Sequence, residues 1–206
     1  VTDLQFKIFF KKFKKEASEI SFSEGLNVVY GDSGVGKSNL MLAIQGKKCR
    51  SENNFEIFSN NEHLKYYSLY QNPDHQILAM TVKGELAFSG ECLQLPPSQL
   101  ESIIYSGLSN LPDSIDPDLN PGYLSGGEKE LLNLITAVQM DVDVLLMDDA
   151  LSFLSVKNKT NAIQWLKDWV KRSNGIVIWL TSEKEDLNYG DSQWILALDS
   201  LYNPGN

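Results

Sequence analysis

The sequence predicts an α/β fold: a core of parallel strands and helices, an N-terminal antiparallel β part, and a mostly helical insert. Three observations predict it. The apolar runs Leu26–Tyr30, Asp143–Met147 and Ile176–Leu180 have the look of central parallel strands. Helical patterns follow the first two of these runs. Between them, Pro73 to Pro121 carries little β signal and several Pro, Ser and Gly breaks.

Taken in order, Leu4–Phe10 and Ile20–Phe22 have β character. Leu26–Tyr30 is bounded by Gly25 and Gly31 and reads as a buried strand. A helix is expected from near Gly36 to about Ile44, with Leu40, Leu42, Ala43 and Ile44 as its apolar contacts. Tyr66–Tyr70 is a further strand. Gln99–Leu108 is a short helix, and Pro96-Pro97 suits its entry. After Gly127 a helical pattern runs through Leu131, Leu132, Leu134, Ile135 and Val138. Asn158–Lys171 is another helix, with Ile163, Leu166 and Val170 on one stripe, and Trp194–Leu198 is a late strand. A chain of 206 residues suits one domain with a real core, here 1–206 with the helical insert at roughly 73–140.

Composition narrows the function classes. Hydrophobic content of 42% and charged content of 22% are ordinary for a soluble globular protein. A net charge of −9 argues against non-specific nucleic-acid binding, so no nucleic-acid partner is expected. The basic cluster Lys11, Lys12, Lys14 and Lys15 reads as a solvated strand end or loop. Cys49 and Cys92 form no Cys-x-x-Cys pair, which suits a reduced, cytosolic chain, and His63 and His75 have no metal-ligand spacing. No apolar run approaches the ~18 residues of a membrane span, and no signal peptide is expected. Service to a membrane would come from the aqueous side.

Three motifs carry chemistry. Gly31-Asp32-Ser33-Gly34-Val35-Gly36-Lys37-Ser38 fits G-x-x-x-x-G-K-[ST], between a predicted strand and a predicted helix. Its glycines let several backbone N–H groups point at one anion, and the following helix adds its positive end. Lys37 would reach the β- and γ-phosphates, and the Ser38 hydroxyl would bind Mg²⁺. Val144-Leu145-Leu146-Met147-Asp148 is an apolar strand ending in a carboxylate, placed to meet that Mg²⁺. Leu124-Ser125-Gly126-Gly127-Glu128 sets two glycines behind a serine at a helix start. It reads as a second anion-binding nest. A plain N-cap by Ser125 would leave the tandem glycines unexplained.

The order of these motifs, with "YQNP" between them, resembles an ATP-binding cassette (ABC) ATPase, a P-loop NTPase. Tyr70-Gln71-Asn72-Pro73-Asp74-His75-Gln76 is similar to the Q-loop of energy-coupling-factor and cobalt or nickel importers. The resemblance implies a head-to-tail dimer, homo- or heteromeric, in which each ATP lies between one subunit's P-loop and the other's signature motif. Ser33, Gly34, Val35, Gly36, Lys37, Ser38 and Asn39 would bind ATP in cis. Ser38, Gln71 and Asp148 would hold Mg²⁺, with Gln71 also near the attacking water. Ser125, Gly126, Gly127 and Glu128 would serve the partner's ATP. An N-terminal aromatic would stack on adenine, with Phe10 favoured over Phe13. Asn72–Val82 and the insert would face a transmembrane subunit, placing the chain on the cytoplasmic side of the membrane.

The departures bear on catalysis. The family's catalytic Glu is Asp149 here, and its switch His is Ser182. Ser155 replaces the D-loop Asp in Ala150-Leu151-Ser152-Phe153-Leu154-Ser155, and Leu131 sits where an Arg is usual. The expected function is the ATP-binding subunit of an importer, hydrolysing ATP slowly through Asp149, Gln71 and Ser182. The intact signature points to a heterodimer with one degenerate site. The alternative is a stand-alone or regulatory ATP-binding protein with little hydrolysis. A cassette acting on nucleic acid conflicts with the acidic charge, and a P-loop small-molecule kinase leaves Leu124–Glu128 unexplained.

Overall fold

The computed structural model describes residues 3–10, 18–46, 55–59 and 64–205, with side chains described for 20–46 and 64–205. Lys11, Lys12, Phe13, Lys14, Lys15, Cys49 and His63 lie outside the described residues, as does the Phe10 side chain. In chain order the elements are β1 (Asp3–Phe10), β2 (Ser18–Ser23), β3 (Gly25–Tyr30), α1 (Lys37–Ile44), β4 (Phe55–Ser59), β5 (Tyr66–Leu69), α2 (Val82–Cys92), α3 (Pro97–Leu108), α4 (Gly126–Val138), β6 (Val144–Asp148), α5 (Val156–Ser173), β7 (Ile176–Thr181), β8 (Ser192–Leu196) and β9 (Leu201–Tyr202). They fall into two units. The first takes Val1–Ser68, Val142–Asp149 and Leu166–Asn206, and the second takes Leu69–Asp141 and Ala150–Trp165.

The first unit is built on sheets. β2, β1 and β4 form an antiparallel sheet in that order. The second sheet runs β5-β6-β7-β3-β8-β9. Within it β6, β7, β3 and β8 are parallel, and β9 closes the edge antiparallel to β8. Every residue of β6 and β7 is buried, as the unbroken apolar runs predict for strands covered on both faces. Phe22 of β2 meets Trp194 of β8 edge to face at 5.1 Å, tying the two sheets together. α1 buries Lys37, Leu40, Met41 and Ile44. Met41 thus takes the place expected of Leu42 and Ala43, because i, i+3, i+4, i+7 is the spacing of one helix face.

The second unit is helical, and α2 is the element that sequence periodicity misses. Its buried face includes Glu85, Ser89 and Gly90 beside Val82, Leu86 and Ala87. Glu85 earns its burial by accepting the N–H groups of Leu78 at 2.9 Å and Ala79 at 2.8 Å. A polar core face defeats hydrophobic patterning. β4 and β9 were also not expected, and β8 begins and ends two residues before the predicted strand.

Candidate functional site

β6, β7 and β3 lie side by side, and their carboxyl ends are level. Tyr30 pairs with Thr181, and Asp148 pairs with Leu180. The residues that follow these strands therefore emerge together. They are the loop Gly31–Gly36 after β3, Asp149 after β6 and Ser182 after β7, at the strand ends where open α/β sheets bind ligands.

The loop is shaped by its glycines. Gly34 and Gly36 have φ of +82° and +111°, a region closed to most side chains. At Gly31 the constraint is space: a Cβ would lie 2.8 Å from Val35 Cγ1. Gly36 stands at the N-cap of α1, and no side chain caps that helix start, the end of a helix that favours an anion. Ser33, Gly34 and Ser38 are exposed and Asn39 is half-buried. Val35 differs: its side chain is buried and its N–H donates to Asp32 O at 3.2 Å, closing the turn.

Lys37 is 6% exposed and points into this loop. Its Nζ donates to Gly31 O at 2.9 Å and to Ser182 Oγ at 2.8 Å, and lies 3.6 Å from Asp149 Oδ2. Asp149 in turn accepts the Ser182 N–H at 2.6 Å through Oδ1 and the Ser182 hydroxyl at 2.9 Å through Oδ2. Lys37, Ser182 and Asp149 are thus one network. The Asp149 backbone has φ +47°, a left-handed conformation that Asp tolerates better than most residues. Asp148 is buried, and desolvation raises its carboxyl pKa against a hydrogen bond from Ser38 that lowers it. A buried carboxylate beside a hydroxyl is a donor set that fits Mg²⁺.

The remaining predicted site residues belong to the second unit. Gln71 is exposed, just past β5. The turn after it is held locally: Tyr70 N–H donates to Gln76 Oε1 at 2.9 Å, and Asn72 Oδ1 accepts the Asp74 N–H at 3.0 Å. α4 grips the same turn. Asn133 Nδ2 donates to Pro73 O at 2.9 Å, and Lys129 Nζ meets Asp74 at 2.7 Å.

At Ser125–Glu128 the N-cap alternative is present. Ser125 is the N-cap of α4 in a full capping box: Glu128 N–H donates to Ser125 Oγ, and Glu128 Oε2 accepts the Ser125 N–H at 2.8 Å. Gly126 and Gly127 are helical, and neither has positive φ. Close approach explains them. A Cβ on Gly127 would lie 3.0 Å from Phe153 O, and one on Gly126 would lie 3.3 Å from Phe153 Cγ. Beside this helix start runs an open groove of about 490 Å³, lined by Ser125, Gly127, Phe153, Leu154, Ser155 and Asn158 among others.

The family described as ABC transporter matches residues 18–152. The chain belongs to the ABC transporter family. It is an ATPase of the ABC type, and ATP is its nucleotide. It is 24% identical to an energy-coupling factor transporter ATP-binding protein, EcfA1, of Mycoplasma mobile, over 91% of this chain and 72% of that one. The EcfA1 of Fusobacterium nucleatum is 26% identical, over 95% and 77%. Its fold is shared with cbiO1 from Clostridium perfringens, described as part of the ABC transporter complex cbiONQ. The TM-score there is 0.72 at 18% identity, covering 98% of this chain and 89% of that one.

No helix among the described residues of this ABC ATPase is long and apolar enough to cross a membrane. Nor do three or more His, Cys, Asp or Glu residues cluster as a metal site among them. Among the buried acids without a sequence expectation, Glu130 lies nearest the signature glycines. Glu130 is 4% exposed and lies against the Ser152–Phe153 segment. A signal was present, since Glu130 is i+4 from Gly126 and i+3 from Gly127, on the face those glycines leave open.

Proposed function

We propose that this chain is the ATP-binding subunit of an importer of the energy-coupling-factor kind. It binds Mg-ATP on Gly31–Ser38 and passes binding and slow hydrolysis to a transmembrane partner. The observation that carries the reading is the convergence of Lys37, Asp148, Asp149 and Ser182 at the carboxyl ends of three parallel strands. The relatives' names support the transporter and the membrane partner, as does the cbiONQ complex of the structural neighbour.

In this reading the amides at the start of α1 take the phosphates, and Lys37 turns from Ser182 and Asp149 to the β- and γ-oxygens. Ser38 and Asp148 would hold Mg²⁺, with Gln71 reaching the same ion. The ion supplies positive charge to the phosphate oxygens. Phe10 is the aromatic proposed to stack on adenine. Ser125–Glu128 meets the ATP of a second cassette, same or different. The subunit sits on the inner face of the membrane through its partner.

Slow turnover has a structural rationale. Asp149 is one methylene shorter than the family's Glu, and its acceptors are engaged by Ser182 and Lys37. Ser182 can donate to a phosphate but cannot carry the charge of a histidine. Displacing a catalytic group by ~1 Å can cost ~10²-fold.

The test is co-purification with a membrane permease and a second cassette, followed by Mg-ATP binding and turnover. Lys37→Ala should weaken Mg-ATP binding by roughly 100-fold, through loss of charge-assisted hydrogen bonds. Binding and turnover unchanged by that substitution would remove this loop from the site.

A further inference from the structure

We propose that Glu130 is the positioning residue of the signature segment: its buried carboxyl group holds Ser152–Phe153 across the two glycines that open α4. The inference deepens the reading of the Ser125–Glu128 groove as the face that meets nucleotide, and it rests on that reading. Glu130 Oε2 accepts the Phe153 N–H at 3.0 Å, and Oε1 accepts the Ser152 hydroxyl at 3.4 Å. Phe153 then lies so close that neither Gly126 nor Gly127 has ordinary room for a Cβ. Phe153, Leu154 and Ser155 line the groove together with Ser125 and Gly127. Releasing Glu130 would leave Phe153 N–H without this partner and let the Phe153–Ser155 side of the lining move.

The clamp is sensitive to protons near neutrality. The charged group facing Glu130 is Lys159 of α5, itself buried, which favours the ionised acid. Burial outweighs Lys159 and the hydrogen bonds and pushes the Glu130 pKa up to about 7. A segment that opens and wets Glu130 returns it to its ordinary range near 4.5. The closed form therefore binds the proton more tightly. Closure is firmest below the ordinary value, weakens as pH rises towards about 7, and is level above it.

Amide exchange at Phe153, normalised to the intrinsic rate at each pH, tests this in the full chain. In the wild type, protection should fall by at least about tenfold between pH 5 and pH 8. Glu130→Gln, which keeps an acceptor for Phe153 without the charge, should abolish the pH dependence and be at least as protected as wild type at pH 8. Glu130→Ala should lose about tenfold or more in protection at pH 5. Three results would each overturn the proposal: a flat wild-type profile, a Gln variant that tracks the wild type, or an Ala variant as protected as wild type. If the Ala variant does not fold, the Gln comparison decides. The readout is independent of ATP turnover. Failure of the nucleotide reading appears instead in the Lys37→Ala binding assay, and failure of the clamp in the exchange profile.

Discussion

The phosphate loop and the signature segment both spend glycines at the start of a helix, for opposite physical reasons. Gly34 sits in open space, with nothing within 4 Å of where a Cβ would be, yet its φ of +82° excludes most side chains. Gly127 has an ordinary helical backbone, yet a Cβ there would press on the Phe153 carbonyl at 3.0 Å. The capping differs in parallel. α1 begins without a side-chain cap, while α4 begins with the reciprocal Ser125–Glu128 pair. One helix start carries no side-chain cap. The other is closed upon itself and gets its shape from a neighbouring segment.

The largest expected effect concerns the first region. Asp149→Glu combined with Ser182→His should raise ATP turnover on the order of 10²-fold. The same change should lower stability by about 1 kcal/mol, because Glu tolerates the left-handed backbone of residue 149 less well than Asp does. Turnover that stays flat would shift the defect to Ser155.

The glycines separate the two regions more sharply. Gly127→Ala should cost about 1–3 kcal/mol by overpacking against Phe153, and Gly34→Ala about 1–2 kcal/mol by backbone strain. Asn at each position tells the causes apart in a urea melt. Gly34→Asn should recover part of the loss, since Asn accepts left-handed backbone, and Gly127→Asn should recover none. Equal behaviour of the two Asn variants would erase the distinction.

Ser125→Ala should cost about 1 kcal/mol through loss of the cap on α4. The smallest expected change is its effect on Mg-ATP affinity at Lys37, which should not shift in the isolated chain. A change in that affinity would mean that the cap is not a local device.

Much of this was legible in the residues. The parallel strands announced themselves as unbroken apolar runs, and the phosphate motif fixed where Lys37 and Ser38 emerge. The contacts of Lys37 were less so. Its bond to Ser182 spans 145 positions and follows from strand order, which pairs β7 between β6 and β3. α2 was hidden because Glu85 fills a core position by satisfying two backbone amides. The packing role of the signature glycines was hidden for a related reason. A motif string records which residues are small, and it does not record whether smallness serves a dihedral angle or a neighbour's proximity.

The mutual hold of Lys37 and Asp149 makes each the other's resident counter-ion. In the proposed function a triphosphate reaching Lys37 would compete for a cation already engaged, and would leave Asp149 held by Ser182 alone. Affinity at this loop therefore measures a swap of partners.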